Sequence, residues 1–188
     1  YIQHHARPLE KALYAYYFEQ GTLESVLDEL AAFQNDDGGF GHGLESDIRL
    51  DQSSVIATTI AFQKFRELAV PSSHPMVQRA SQYLLNQYNS TAKTWSNIPK
   101  NVDDAPHAPW WKYSDDLSDN LVNPRAEIVG YFYDYPDLFP QALRDELIQS
   151  VLNLTEGHYE VEMHDLLCYI RLAETANLPD DIRQRLVT

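Results

Sequence analysis

Apolar residues recur at helical spacing along almost the whole chain, and the segments they define alternate between two kinds. Leu23, Val26, Leu27, Leu30 and Phe33 form a single stripe, whereas Val55, Ile56, Ile60, Ala61, Phe62, Phe65 and Leu68 leave little polar face. A one-sided helix suits an outer layer in contact with solvent. A helix that is apolar all round must be covered on most sides. That alternation limits the chain to a repeat of helical hairpins, which bury their apolar faces only by stacking on neighbouring pairs. The period-2 alternation of a half-buried strand is absent from the sequence.

Local signals place the ends of the segments. Pro8 suits the first turn of a helix carrying Leu9, Ala12, Leu13, Tyr16 and Tyr17, and Gly21 stops it. Thr22 caps the next helix, with Glu24 in its first turn and an acidic, exposed outer face. After the glycine turn of residues 34–41, a segment over 53–69 reads as buried. His74-Pro75 opens a stretch carrying Met76, Val77, Ala80, Tyr83 and Leu84, and its partner begins at Asn123-Pro124 with Ile128, Val129, Tyr131 and Phe132. Leu143, Leu147, Ile148, Val151 and Leu152 form another stripe, and 163–176 reads as a further buried helix. Three junctions, Leu68-Ala69-Val70-Pro71, Asp137-Leu138-Phe139-Pro140 and Ala176-Asn177-Leu178-Pro179, each close a buried helix and precede an amphipathic one. Residues 96–122 interrupt this period, and a long insertion in a repeat protein lies on one face, often the binding face.

With 188 residues the chain suits one domain able to bury a core without staples. The single cysteine, Cys168, allows no intrachain disulfide and favours a reducing compartment, so the cytoplasm is the expected location. No run approaches the roughly 18 apolar residues of a membrane helix, and the first ten residues are polar rather than signal-like. The formal charge of −14 disfavours nucleic acid, whose non-specific affinity comes from Lys and Arg neutralising phosphates. A start at Tyr1 and a helical opening at Asp180-Asp181-Ile182, close to Thr188, give the expectation that the chain continues.

The run Leu30-Ala31-Ala32-Phe33-Gln34, followed by Asp37-Gly38-Gly39-Phe40, resembles the glutamine-and-aromatic repeat of squalene and hopene cyclases and of protein prenyltransferase β-subunits. Tyr83-Leu84-Leu85-Asn86-Gln87 with Trp95 is a looser second copy, and a third around 152–159 lacks the glutamine. The resemblance covers nearly everything outside the insertion. It implies an all-α fold, an α/α toroid whose inner helices line an apolar cavity and whose outer helices face solvent. Complete rings of that superfamily hold more helix pairs than this chain supplies, so the expected ring is open or incomplete. Glycine permits positive φ and lets the following aromatic fold back on the helix, while Gln34 is expected to tie helix end to turn.

The same resemblance supplies candidate chemistry. Protein prenyltransferases hold zinc through an Asp-x-Cys pair and a later histidine, and the matching positions here are Asp51-Gln52-Ser53 and His164. A serine hydroxyl lacks the thiolate charge that makes cysteine a good zinc ligand. Cys168, one turn beyond His164, shares its helix face and offers a sulfur, although a buried cysteine also serves as a small apolar side chain. The cyclase acid motif, Asp-x-Asp-Asp, has no copy in the sequence. No cofactor is expected, and zinc or magnesium would enter only through these sets of residues.

The nearest acidic cluster is Val102-Asp103-Asp104-Ala105-Pro106-His107. Its aspartates and His107 are candidate catalytic groups, as an acid pair or as holders of a hydrated magnesium; a surface loop with turn-forming aspartates is the alternative. Trp110 and Trp111 follow closely, and aromatic faces stabilise cations and stack on planar or sugar rings. They are candidate ligand-binding residues together with His42, Asp51 and His164, placed where the mouth of a toroid gathers the starts of its inner helices. Glu45 and Asp47 lie in the same acidic stretch. Three functional classes stay open: a cavity for a small apolar or isoprenoid ligand, a carbohydrate-active α/α barrel, or a non-catalytic helical scaffold. Carboxyls flanking one groove would favour the second; a cavity with no convergent polar cluster would favour the third.

Overall fold

The computed structural model describes residues 1–156 and 161–187. Among them the secondary structure is helical, with no β-strand, so the protein is all-α. The elements are α1 (Ile2–His5), α2 (Pro8–Phe18), α3 (Leu23–Ala31), α4 (Val55–Glu67), α5 (Pro75–Gln87), α6 (Arg125–Asp134), α7 (Gln141–Thr155), α8 (Met163–Ala173) and α9 (Asp180–Val187). Only the short α1 has no counterpart in the spacing of apolar residues. Side-chain caps fix the starts of α3 and α4, the first of them where the sequence places it. The Thr22 hydroxyl accepts from the Ser25 amide at 3.1 Å and the Ser54 hydroxyl from the Ala57 amide at 3.1 Å. Pro8 and Pro75 take early positions at which no helical N–H is needed.

Helices consecutive in sequence pack as pairs, α2 with α3, α4 with α5, α6 with α7 and α8 with α9. Across the pairs, α4 packs on α6 and α6 on α8, so the segments read as buried line up in one row. In α6 every residue from Arg125 to Tyr133 is buried. The row is cemented by aromatic rings: Phe62 of α4 stacks on Tyr131 of α6 at 4.6 Å, and Phe132 stacks on Phe139 at 3.9 Å. Val70, Phe139 and Leu178, each just before the proline of its junction, turn back into the core. No helix among the described residues is long and apolar enough to cross a membrane.

The repeat motif acts as its residues imply. Gln34 donates its amide nitrogen to the Gly38 carbonyl at 2.9 Å and the Met76 carbonyl at 3.0 Å, joining the end of α3 to the turn and to the start of α5. Gly38 has φ +89°, and a Cβ there would lie 2.4 Å from the Arg79 carbonyl oxygen. Phe40 then folds inward against Phe65 at 6.0 Å. In the second copy Trp95 returns to its own helix and donates its indole N–H to the Leu84 carbonyl at 2.7 Å. Of the third copy, residues 157–159 lie outside the described residues.

The segment that forms α8 reads as buried on most sides, yet only Asp165, Cys168, Tyr169 and Leu172 are buried, while Met163, Leu166, Leu167 and Ile170 are exposed. Its neighbours α6 and α9 cover one side, and among the described residues no helix covers the other. Apolar composition states what a helix can bury; its neighbours decide what it does bury.

Burial also gives the fold an alkaline limit. It pushes the phenols of Tyr135 and Tyr169 up to about 12 and drives that of Tyr131 well above its ordinary 10, so the fold prefers them protonated. An unfolded chain ionises them near 10; their contribution is therefore complete below that pH and is lost as pH rises towards 12 and beyond. Urea midpoints at pH 8, 10 and 11 should fall only above pH 10, with tyrosinate absorbance appearing together with unfolding. Full tyrosinate absorbance in a still folded protein would contradict this.

Candidate functional site

The row of buried helices positions a cavity of about 660 Å³. Ile56, Ile60 and Gln63 face it from α4, at spacings of four and three residues that share one helix face. His164, Leu167, Cys168 and Arg171 do the same from α8, and Glu127 comes from α6 between them. Gly130 leaves room at the far end of this packing: a Cβ on it would lie 2.6 Å from the hydroxyl of Thr175, in the turn that follows α8.

The rest of the wall comes from loops. Trp110 and Trp111 of the insertion line the cavity with Glu45 and Asp47 of the acidic stretch before α4 and with Glu162, the residue just before α8. The two loops are sewn together: the Arg49 amide donates to the Pro106 carbonyl at 2.9 Å and the Ala108 amide to the Asp47 carbonyl at 2.9 Å. Beneath them Ile48, Leu50, Ile98 and Val102 form a small second core, against which Trp111 packs. The insertion therefore lies on the face where α4, α6 and α8 begin. Trp110 is 68% exposed, and the Trp111 indole N–H is buried with no hydrogen-bond partner among the described residues.

At the back of the cavity sits a carboxylate that is 2% exposed. Glu127 Oε1 accepts from the Gln63 amide at 2.8 Å and lies 2.5 Å from the Tyr131 hydroxyl, while Oε2 accepts from Arg171 at 3.0 Å. Helices α4, α6 and α8 thus meet on one side chain. The Cys168 sulfur lies 3.9 Å from the same Oε2, and burial, reinforced by Glu127, raises its thiol far above the ordinary range. It is accordingly a thiol and a poor nucleophile. Its polar neighbour is Glu127, where the sequence pointed to His164.

The predicted site residues fall into three places. Trp110, Trp111 and His164 line the cavity together. Asp51 lies instead at a second cavity of about 560 Å³, beside Asn35, Asp37, Ser53 and Tyr83. His42 lines neither cavity but neighbours this one, its Nδ1 3.4 Å from Asp51 and its Nε2 2.8 Å from Asn35, which in turn donates to the Asp51 carbonyl at 2.9 Å. These bonds brace the glycine turn. Asp51 and His164, the positions matched to the zinc set, consequently line different cavities. Among the described residues no three His, Cys, Asp or Glu side chains converge as metal ligands.

Asp103, Asp104 and His107 stand apart from both walls. Val102, Asp103 and Asp104 form one turn of 3₁₀ helix, and with three residues per turn the burial of Val102 directs both aspartates outward. Asp103 is 86% exposed and 3.4 Å from His107 Nε2. His107 Nδ1 lies 2.9 Å from the Ala105 carbonyl oxygen, so this histidine serves the loop itself. The turn-forming reading of the aspartates describes their placement.

Sequence reasoning passed over Glu127, Gln63, Tyr131 and Arg171. A signal was there: Glu127 and Arg171 are charges inside segments that otherwise read as buried, and such charges need partners. Comparison of the chain with protein-family models, with curated proteins and with solved structures finds no match.

Proposed function

We propose that this protein is a carbohydrate-active domain of the α/α-toroid type, in which the cavity at the start of α4, α6 and α8 binds a saccharide. The observation that carries this reading is that Trp110 and Trp111 line the same cavity as Glu45, Asp47 and Glu162. Aromatic faces pack on the C–H face of a sugar ring, and carboxylates accept hydrogen bonds from its hydroxyls. The row α4, α6, α8 serves in this reading as the inner wall of the toroid that the repeat motif implies.

An isoprenoid tail fits the same wall less well. Ile56, Ile60 and Leu167 welcome it, but seating it would strip water from several carboxylates and leave them unpaired. A scaffold without ligand needs no convergent polar cluster, and this cavity has one.

Titration with a panel of neutral oligosaccharides, followed by tryptophan fluorescence, tests the reading. Trp110→Ala, at an exposed position, is expected to keep the fold and to weaken binding roughly 3- to 10-fold. Reducing-end release in the same samples reports turnover, which Glu162→Gln should diminish. Binding of a prenyl diphosphate with no response to any saccharide would replace this proposal by the isoprenoid one.

A further inference from the structure

We infer that Arg171 is the group that orients the ligand in this cavity, and that the buried Glu127 is the residue that positions it; the inference rests on the saccharide reading above. Arg171 is 34% exposed and lines the wall, whereas Glu127 is 2% exposed. Only one of the guanidinium nitrogens has a side-chain partner among the described residues, NH1 on Glu127 Oε2 at 3.0 Å. Its other N–H donors remain for the cavity.

Glu127 is held more firmly than a lone partner would be. The Gln63 amide at 2.8 Å and the Tyr131 hydroxyl at 2.5 Å fix Oε1, so the oxygen facing Arg171 has a set direction. The backbone below Arg171 is pinned as well. Its carbonyl accepts from Arg66 at 3.2 Å, and Arg66 Nε is paired with Asp134 at 2.7 Å. A planar guanidinium tied at one corner and anchored at its base presents its free edge in one orientation.

The rest of the wall explains why that edge matters. Glu45, Asp47 and Glu162 only accept hydrogen bonds, and one N–H of the Gln63 amide is committed to Glu127; Asn123 and His164 offer neutral donors, and among the described lining residues Arg171 is the one Arg or Lys. A sugar hydroxyl donates once and accepts through its lone pairs, so a ring lying on Trp110 or Trp111 satisfies the carboxylates as donor and needs a fixed donor in return. Arg171 supplies it with charge assistance. Epimers move one hydroxyl by about the length of a bond, and a fixed donor tells them apart where a mobile one does not.

The test uses free glucose, galactose and mannose titrated into the whole chain and into Arg171→Gln and Arg171→Lys, with circular dichroism and thermal midpoints recorded for each. The wild type is expected to separate its best and worst epimer by about tenfold, Arg171→Gln to lose about tenfold on the best and rank all three alike. Arg171→Lys, which keeps the charge without the fork, should regain affinity but not ranking. A merely structural ion pair lowers the thermal midpoint and leaves the ranking intact. Unchanged affinity and ranking in a folded Arg171→Gln, or full ranking in Arg171→Lys should the glutamine variant not fold, overturns the inference alone. A wild type that binds no saccharide overturns the site reading, and this inference with it.

Discussion

Trp95→Ala should cost about 3–5 kcal/mol of unfolding free energy, the range for removing a fully buried large aromatic. Trp95 is completely buried, 5.0 Å from Tyr88 and 6.3 Å from Phe132 between ring centres, and it donates to the Leu84 carbonyl. Its loss would leave a cavity between α5 and α6 and a carbonyl without its donor. Urea unfolding monitored by circular dichroism measures the change directly. Trp95→Phe should recover most of the volume term but not the hydrogen bond, and so fall between. A loss below about 1 kcal/mol would mean that the second copy of the motif does not hold the two helices together.

Glu127→Ala should cost about 3 kcal/mol, because it removes the shared acceptor of three donors at once. Gln63, Tyr131 and Arg171 belong to three different helices, so the loss falls on the row of buried helices rather than on one element. The figure sits at the low end for a broken buried pair, since Arg171 reaches cavity water and Tyr131 has the Thr59 carbonyl 3.1 Å away as a second acceptor. A double-mutant cycle with Arg171→Ala isolates the pair. Coupling near zero would show that Arg171 finds an equivalent partner once the carboxylate is gone.

Both residues show where the sequence speaks and where it is silent. Trp95 could be named in advance because the motif that ends in it is local, a helix with its own turn. Glu127 could be noticed as a charge in an apolar segment, but Gln63 lies 64 residues before it and Arg171 44 residues after, and no spacing rule links them. The aspartates of the insertion illustrate the reverse. Asp103 and Asp104 attract notice as a pair, and the burial of their neighbour Val102 turns them to solvent.

Helical spacing, caps and glycine turns by themselves determined that this chain is all-α, built of paired helices, with starts at Thr22 and Pro75, a buried segment from residue 53 and an insertion after Trp95. These features depend on contacts within one or two turns, which neighbouring residues control. Only the tertiary structure decided that Trp110, Trp111 and His164 share a cavity while Asp51 and Asp103 do not, and that one face of α8 stays uncovered. Those outcomes depend on which distant segments pack together, a sum of many small burial terms that no single stretch of sequence contains.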